Sequence, residues 1–217
     1  MDNTGQYNYP EGELIIFARA PVPGQVKSRL AAGIGKQAAA ECYRDLLVNT
    51  VELAASADIV PHRLEVDADT GHQIFRSLTA QFNISVTQQC DGDLGRKMAH
   101  SIGKALEYSE FALIIGSDCP AITTDYIQAA CQAMHDGHDV VIGPAEDGGY
   151  VLIGSRVNQP AMFANIPWGS GQVLARMYER LDALGLSCKE LNMLWDIDRP
   201  SDYVRWQTTT ARESYLI

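Results

Sequence analysis

The chain has 217 residues, 46% of them hydrophobic and 20% charged, with a formal net charge of −10. That size and apolar content suit one globular α/β domain with a full core. The acidic balance argues against nonspecific nucleic-acid or anionic-membrane binding, because its long-range field repels phosphates. Five scattered cysteines (Cys42, Cys90, Cys119, Cys131 and Cys188), with no CxxC, form neither a disulfide framework nor a zinc motif and read as free thiols. The start, "MDNTGQYNYPEGE", lacks the basic-then-apolar pattern of a signal peptide, and no apolar run reaches the length of a spanning helix. The expectation is a cytoplasmic protein with no membrane or nucleic-acid partner.

In chain order, residues 1–12 read as a flexible N-terminal tail, and residues 13–217 as a single domain. "ELIIFAR" is a strand, and "GKQAAAECYRDLLVNTVELAAS" carries apolar residues at helical spacing. "HRLEVDA" and "NISVTQQ" are strands, each followed by a helix, "GHQIFRSLTAQ" and "LGRKMAHSIGKALEYS". "FALIIGS" is the most apolar strand, and "TTDYIQAACQAMHDG" opens like a capped helix. "HDVVIGP" and "YVLIGS" are separated only by "AEDGG", which predicts a hairpin or sharp reversal. "SGQVLARMYERLDALG" is a helix stopped by glycine, "SCKELNML" a last strand and "PSDYVRWQTT" a last helix. This alternation predicts an α/β fold of three layers, α/β/α, around a mainly parallel sheet.

Ligands of such sheets bind beyond the carboxyl ends of the strands, and four loops there carry chemistry. "ARAPVPGQVKSRL" (18–30) is stiffened by two prolines and concentrates Arg19, Lys27 and Arg29. Cations leading into a helix N-terminus make a candidate polyphosphate cradle, although the glycines of a Walker A loop are absent. "QQCDGDLGRKM" (88–98) places an amide, Gln89, before Gly92 in an acidic turn, and an amide can read a nucleobase edge. In "LIIGSDCPAIT" (113–123), an apolar strand ends on Asp118 just before Cys-Pro, leaving acceptor oxygens suited to Mg²⁺ or Mn²⁺ at the rim. In "MLWDIDRPSDY" (193–203), Asp196 and Asp198 point the same way if extended, while Asp202 suits the N-terminus of a helix begun by Pro200. Either earlier aspartate is a candidate second metal ligand beside Asp118. "GPAEDGGYVLIG" (143–154) adds Glu146 and Asp147 at a glycine-rich reversal, as candidate base or hydroxyl-binding groups.

The ordered set "FARAPVPGQVKSRL … GDLG … GSDCP … GPAEDGGYVLIG … DIDRPSDY" resembles a bacterial family of GT-A-type, nucleotide-diphospho-sugar transferase-like proteins, catalogued as a domain of unknown function. Some of its members are assigned to glycosyl transfer in arsenosugar biosynthesis. The resemblance spans about residues 14–206 and implies a Rossmann-like GT-A fold with a divalent metal, Mg²⁺ or Mn²⁺, bridging a diphosphate. It implies Asp118 as central metal ligand with Asp198 or Asp196 as its late partner. It places Lys27 and Arg29 on phosphates, Gln89 and Gly92 on the base, and Glu146 and Asp147 on the acceptor side. The implied substrates are a nucleotide-sugar and a small acceptor.

"SDC" holds one aspartate where many glycosyltransferases of this fold present Asp-x-Asp. "PGQVKSRL" also looks like the NTP loop of phospholactate guanylyltransferases and, more distantly, of molybdopterin guanylyltransferases. Nucleotidyl transfer from an NTP is therefore the alternative, and a non-catalytic nucleotide-binding regulator a third reading. Oligomeric state is open.

Overall fold

A computed structural model describes residues 7–214. Seven strands form one mixed sheet: β1 (Gly12–Arg19), β2 (His62–Asp67), β3 (Ser85–Gln88), β4 (Phe111–Gly116), β5 (Val140–Pro144), β6 (Tyr150–Ser155) and β7 (Cys188–Glu190). Their spatial order is β3-β2-β1-β4-β6-β5-β7. Every pairing is parallel except those of β6, which runs antiparallel to both β4 and β5. The expected α/β architecture with a mainly parallel sheet is thus observed.

The helices are α1 (Ser28–Ile34), α2 (Lys36–Ser56), α3 (Gln73–Phe82), α4 (Leu94–Ala105), α5 (Thr124–His135), α6 (Val173–Ala183) and α7 (Pro200–Ser214). β4 is apolar throughout, and β1 is apolar from Leu14 to Ala18, because both faces of the sheet centre are covered. On one face Leu14, Ile16 and Leu113 pack with Leu47 and Val51 of α2 and Ile127 of α5. On the other, Ile15, Ile114 and Ile153 pack with Met98 and Ile102 of α4 and Met177 of α6. Two cores on opposite faces give the three layers. Among the described residues, no helix is long and apolar enough to cross a membrane.

Three expectations need correction. Residues 1–6 of the expected tail lie outside the described residues, but from residue 7 onward the chain is held. Asn8 and Tyr9 donate backbone hydrogen bonds to the Asp58 and Ile59 carbonyls (2.9 and 2.8 Å), and the buried Tyr9 donates through its hydroxyl to Gln132 Oε1 (2.8 Å). An aromatic ring that fills the end of a core fixes its segment whatever the polarity of its neighbours. The basic loop is shorter than "ARAPVPGQVKSRL" suggests, since α1 begins at Ser28 and Gly35, at φ 87°, separates it from α2. The expected strand "SCKELNML" pairs only over Cys188–Glu190, with one further bridge between Ala145 and Leu194. Beyond Glu190 the Leu191 and Leu194 N–H groups still donate to the Ile142 and Pro144 carbonyls (2.9 Å each), and the Tyr126 hydroxyl donates to the Asn192 carbonyl (2.7 Å).

β6 fits between β4 and β5 at Gly154, where an added Cβ would lie 2.3 Å from Leu113 Cδ2 and 2.7 Å from Val141 Cγ1. Both neighbours are fully buried and cannot retreat. Gly154→Ala is expected to destabilise by about 1–3 kcal/mol through overpacking. Urea denaturation should show a lower midpoint at unchanged slope, and an unchanged midpoint would contradict this packing.

Candidate active site

Five of the loops that follow strands converge on one cleft of ≈ 670 Å³ at the carboxyl ends of β1 and β4, as the parallel topology requires. Its wall includes Arg19, Lys27, Gln89, Gly92, Asp118, Asp147, Asp196 and Asp198, eight of the ten residues that the sequence singles out.

Lys27 lies at the centre. It caps α1 in the left-handed conformation (φ 48°, ψ 49°), which is uncommon for a side chain of this size. Its ammonium is buried, donates to Asp118 Oδ2 (2.9 Å) and also donates to the Ile197 carbonyl. Burial pulls the Lys27 pKa down, but the charge and hydrogen bond of Asp118, aided by Asp196, outweigh it, and the net shift is upward. The ammonium is therefore a permanent charge.

Asp118 follows β4 by two residues, and its segment is stitched to the late loop at three points. Its carbonyl accepts the Ile197 N–H (3.1 Å), the Cys119 thiol donates to the Trp195 carbonyl (3.1 Å), and Lys27 bridges its carboxylate to Ile197. Asp196 is thereby carried to the cleft wall. Burial, then the charge of Asp118, pushes the Asp196 carboxyl up to about 6, with Lys27 opposing and Asp147 adding to the rise. Asp198 also lines the cleft but is bound by Arg29 (2.9 Å), whose own side chain stands outside the lining. Asp202 accepts from the backbone N–H groups of Asp198 and Arg199 (3.1 and 2.7 Å), a helix cap for α7.

The turn between β5 and β6 separates the two candidate bases. Asp147 faces the cleft and accepts the Gly149 N–H (2.8 Å). Gly148 is at φ 87°, and a Cβ there would stand 2.4 Å from the Gly171 carbonyl oxygen, so this reversal requires glycine. Glu146 stands off the cleft wall, where both terminal nitrogens of Arg205 grip its carboxylate (2.8 and 3.2 Å). The Arg205 guanidinium in turn lies over Trp195 at 4.2 Å.

At the opposite end, Arg19 and Lys97 both bind Asp67 (3.2 and 2.8 Å). The Lys97 hydrogen bond holds the Asp67 carboxyl below its ordinary range, against the opposing effect of burial. Gln89 is buried, with its amide donating to the Glu65 carbonyl of β2 (3.0 Å), so part of its hydrogen-bonding capacity is already used within the fold. Gly92 (φ 125°) leads into Asp93, which caps α4 by accepting from Arg96 N (2.8 Å).

Two wall residues escaped the sequence reading. Lys97 sits one turn after the Asp93 cap, and a cation in the first turn of a helix behind a strand end was the available signal. Tyr43, within α2, shows no such signal and reads as core. Its hydroxyl accepts the Arg19 N–H (2.9 Å) and shares a hydrogen bond with Ser117 Oγ (2.8 Å), locking the ends of β1 and β4 together. Among the described residues no three His, Cys, Asp or Glu side chains form a ready ligand cluster for a metal.

The fold resembles a candidate nucleotide-diphospho-sugar transferase from Desulfovibrio desulfuricans G20, at TM-score 0.77 and 28% identity over 88% of this chain and 83% of that one. It also resembles a CMP-2-keto-3-deoxy-manno-octonic acid synthetase complexed with CTP, at TM-score 0.60 and 12% identity over 94% and 99% of the two chains. A third similar structure is Rv0371c from Mycobacterium tuberculosis H37Rv in complex with manganese, at TM-score 0.54 and 16% identity over 91% and 97%. The last two show likeness of fold alone. No curated protein matches the sequence. A family profile matches residues 50–170, more than half of the chain. The chain therefore belongs to the bacterial family described as an uncharacterised protein conserved in bacteria, DUF2064.

Proposed function

We propose that residues 13–217 act as one divalent-metal-dependent transferase domain in the cytoplasm, moving a sugar from a nucleotide-diphospho-sugar to a small acceptor. The observation that carries this reading is the meeting of Lys27, Asp118 and Asp196 in one cleft at the strand ends. The likeness to the Desulfovibrio protein supports it.

The donor set fits Mg²⁺ or Mn²⁺ bound jointly with substrate. Such ions take one or two carboxylates and complete their shell with water and phosphate oxygens, so the lack of a three-residue cluster agrees with the chemistry. Asp118 would hold the ion, with Asp196 as its late partner, since Asp198 is engaged by Arg29. When bound, the ion supplies charge neutralisation on the leaving nucleoside diphosphate. Lys27 and Arg29 orient the same phosphates and stabilise their growing charge. Gln89 and Gly92 border the base, with Arg19 and Lys97 at that end. Asp147, rather than Glu146, takes the acceptor side, orienting its hydroxyl and receiving its proton.

Nucleotidyl transfer from an NTP is the second reading. It is favoured by the single aspartate after β4 paired across to Asp196, in place of an Asp-x-Asp. In that case Lys27 and Arg29 would stabilise departing pyrophosphate.

Thermal melts with a panel of NTPs and nucleotide-sugars, with and without Mn²⁺, test the site. A ligand at a hundred times its Kd stabilises by about 2.7 kcal/mol, a rise of roughly 5–10 °C for a chain of this size. Asp118→Asn should abolish the Mn²⁺-dependent part of the rise, and an undiminished shift would contradict its role. Chromatography of the products then decides the reaction. A nucleoside diphosphate supports glycosyl transfer, and pyrophosphate supports nucleotidyl transfer.

Asp196 provides a pH signature in the metal-free protein. Its folded pKa, about 6, lies above the ordinary 3.8. The folded chain therefore retains a proton that the unfolded chain has released between these values. This contribution to stability is full below about pH 4 and is lost as pH rises through about 6. Asp196→Asn should remove that fall from the urea midpoint measured between pH 4 and 7, and an unaltered profile would contradict the assignment.

A further inference from the structure

The cations and carboxylates that the proposed reading assigns to opposite ligands are bound to each other. Lys27 is paired with Asp118 at 2.9 Å, and Arg29 with Asp198 at 2.9 Å. Both pairs run from the first loop and α1 to the segments that carry the candidate metal ligands. In the ligand-free state each half of the site masks the other. A divalent ion arriving alone meets Asp118 with one oxygen already committed to an ammonium. A diphosphate arriving alone must take Lys27 and Arg29 from their carboxylates and then sit beside Asp118, Asp196 and Asp198, all lining the same cleft.

The two pairs are unequal. The Arg29 side chain is 56% exposed, and a pair this open separates at small cost. The Lys27 side chain is 8% exposed, and the ammonium is also held by the Ile197 carbonyl. Withdrawing its carboxylate leaves a buried charge, which is costly unless a new anion arrives at once. A ligand carrying both charges removes this obstacle. The Asp118 carboxylate passes from the ammonium to the metal, while Lys27 and Arg29 pass to phosphate oxygens, and no buried charge is left alone.

Resting on the reading of this cleft as a metal–diphosphate site, we infer that it takes the divalent ion and the diphosphate as one complex, and that each binds poorly without the other. The species bound is then the cation–diphosphate chelate, and Lys27 is the positioning residue that couples its two components. Such coupling is reciprocal: the factor by which bound metal tightens diphosphate equals the factor by which diphosphate tightens metal.

Isothermal titration of the full chain with MnCl₂ alone, metal-free sodium pyrophosphate alone and their preformed complex tests this, with free concentrations corrected for chelation in solution. Wild type is expected to bind the complex at least about tenfold more tightly than either component, within the usual range of coupling. Lys27→Gln should tighten Mn²⁺ binding about tenfold in the absence of phosphate, and Asp118→Asn should tighten metal-free pyrophosphate by a similar factor. Arg29→Gln, at an exposed position that does not threaten folding, should tighten Mn²⁺ by a smaller factor, about twofold to threefold. Mn²⁺ affinity unchanged or weakened in both Lys27→Gln and Arg29→Gln overturns the inference while leaving the metal–diphosphate site standing. If wild type binds none of the three ligands, the reading of the cleft fails and the inference falls with it.

Discussion

One buried ammonium organises the functional end of this protein. Lys27 joins three segments far apart in sequence: the loop after β1, the turn after β4 and the late stretch that leads to α7. Its left-handed backbone directs the side chain inward, and the Asp118 carboxylate and Ile197 carbonyl compensate the cost of burying its charge. The backbone bond from Ile197 to Asp118 and the bond from the Cys119 thiol to the Trp195 carbonyl then fix the register of the late loop, and with it the place of Asp196. A neutral residue at Lys27 would leave two carboxylates facing each other in a partly buried cleft, the situation that already lifts the Asp196 pKa.

A strongly acidic chain can still gather cations locally. The net charge is −10, yet Arg19, Lys27, Arg29 and Lys97 gather around one cleft, each paired with an aspartate. These contacts act at hydrogen-bond range, where they outweigh the long-range field of the whole protein. The sheet supplies the frame. The Tyr43 hydroxyl ties the ends of β1 and β4, and β6, reversed between β4 and β5, brings the Asp147 turn to the same end as the loops of the parallel strands.

Much of this was legible in the residues. The apolar β1 and β4, the capped helices and the glycine-rich reversal follow from periodicity and turn chemistry. The strand-end rule then brings Lys27, Asp118, Asp147 and Asp196 to one place. What was hidden depends on partners remote in sequence. That Glu146 is held by Arg205 while the adjacent Asp147 faces the cleft is decided by the packing of α7, which no local pattern reveals. Tyr43 reads as one more apolar residue on an amphipathic helix, because only tertiary contact shows what its hydroxyl meets. The held segment before β1 was missed for a similar reason: the partners of Asn8 and Tyr9 lie far along the chain, at Asp58, Ile59 and Gln132. The end of β7 at Glu190 has no local signal either, since the stretch after it is held by β5 carbonyls and the Tyr126 hydroxyl, all remote in sequence.

The central claim is that a metal-bound diphosphate lies between the first loop and Asp118. The most direct test is a crystal structure of the protein grown with Mn²⁺ and whichever nucleotide stabilises it most, with the metal located by its anomalous scattering. The account predicts a manganese peak on the Asp118 carboxylate, diphosphate oxygens on that ion, and Lys27 turned from Asp118 to the phosphates. A nucleotide bound away from this cleft, or a diphosphate there with Lys27 still on Asp118, would contradict it.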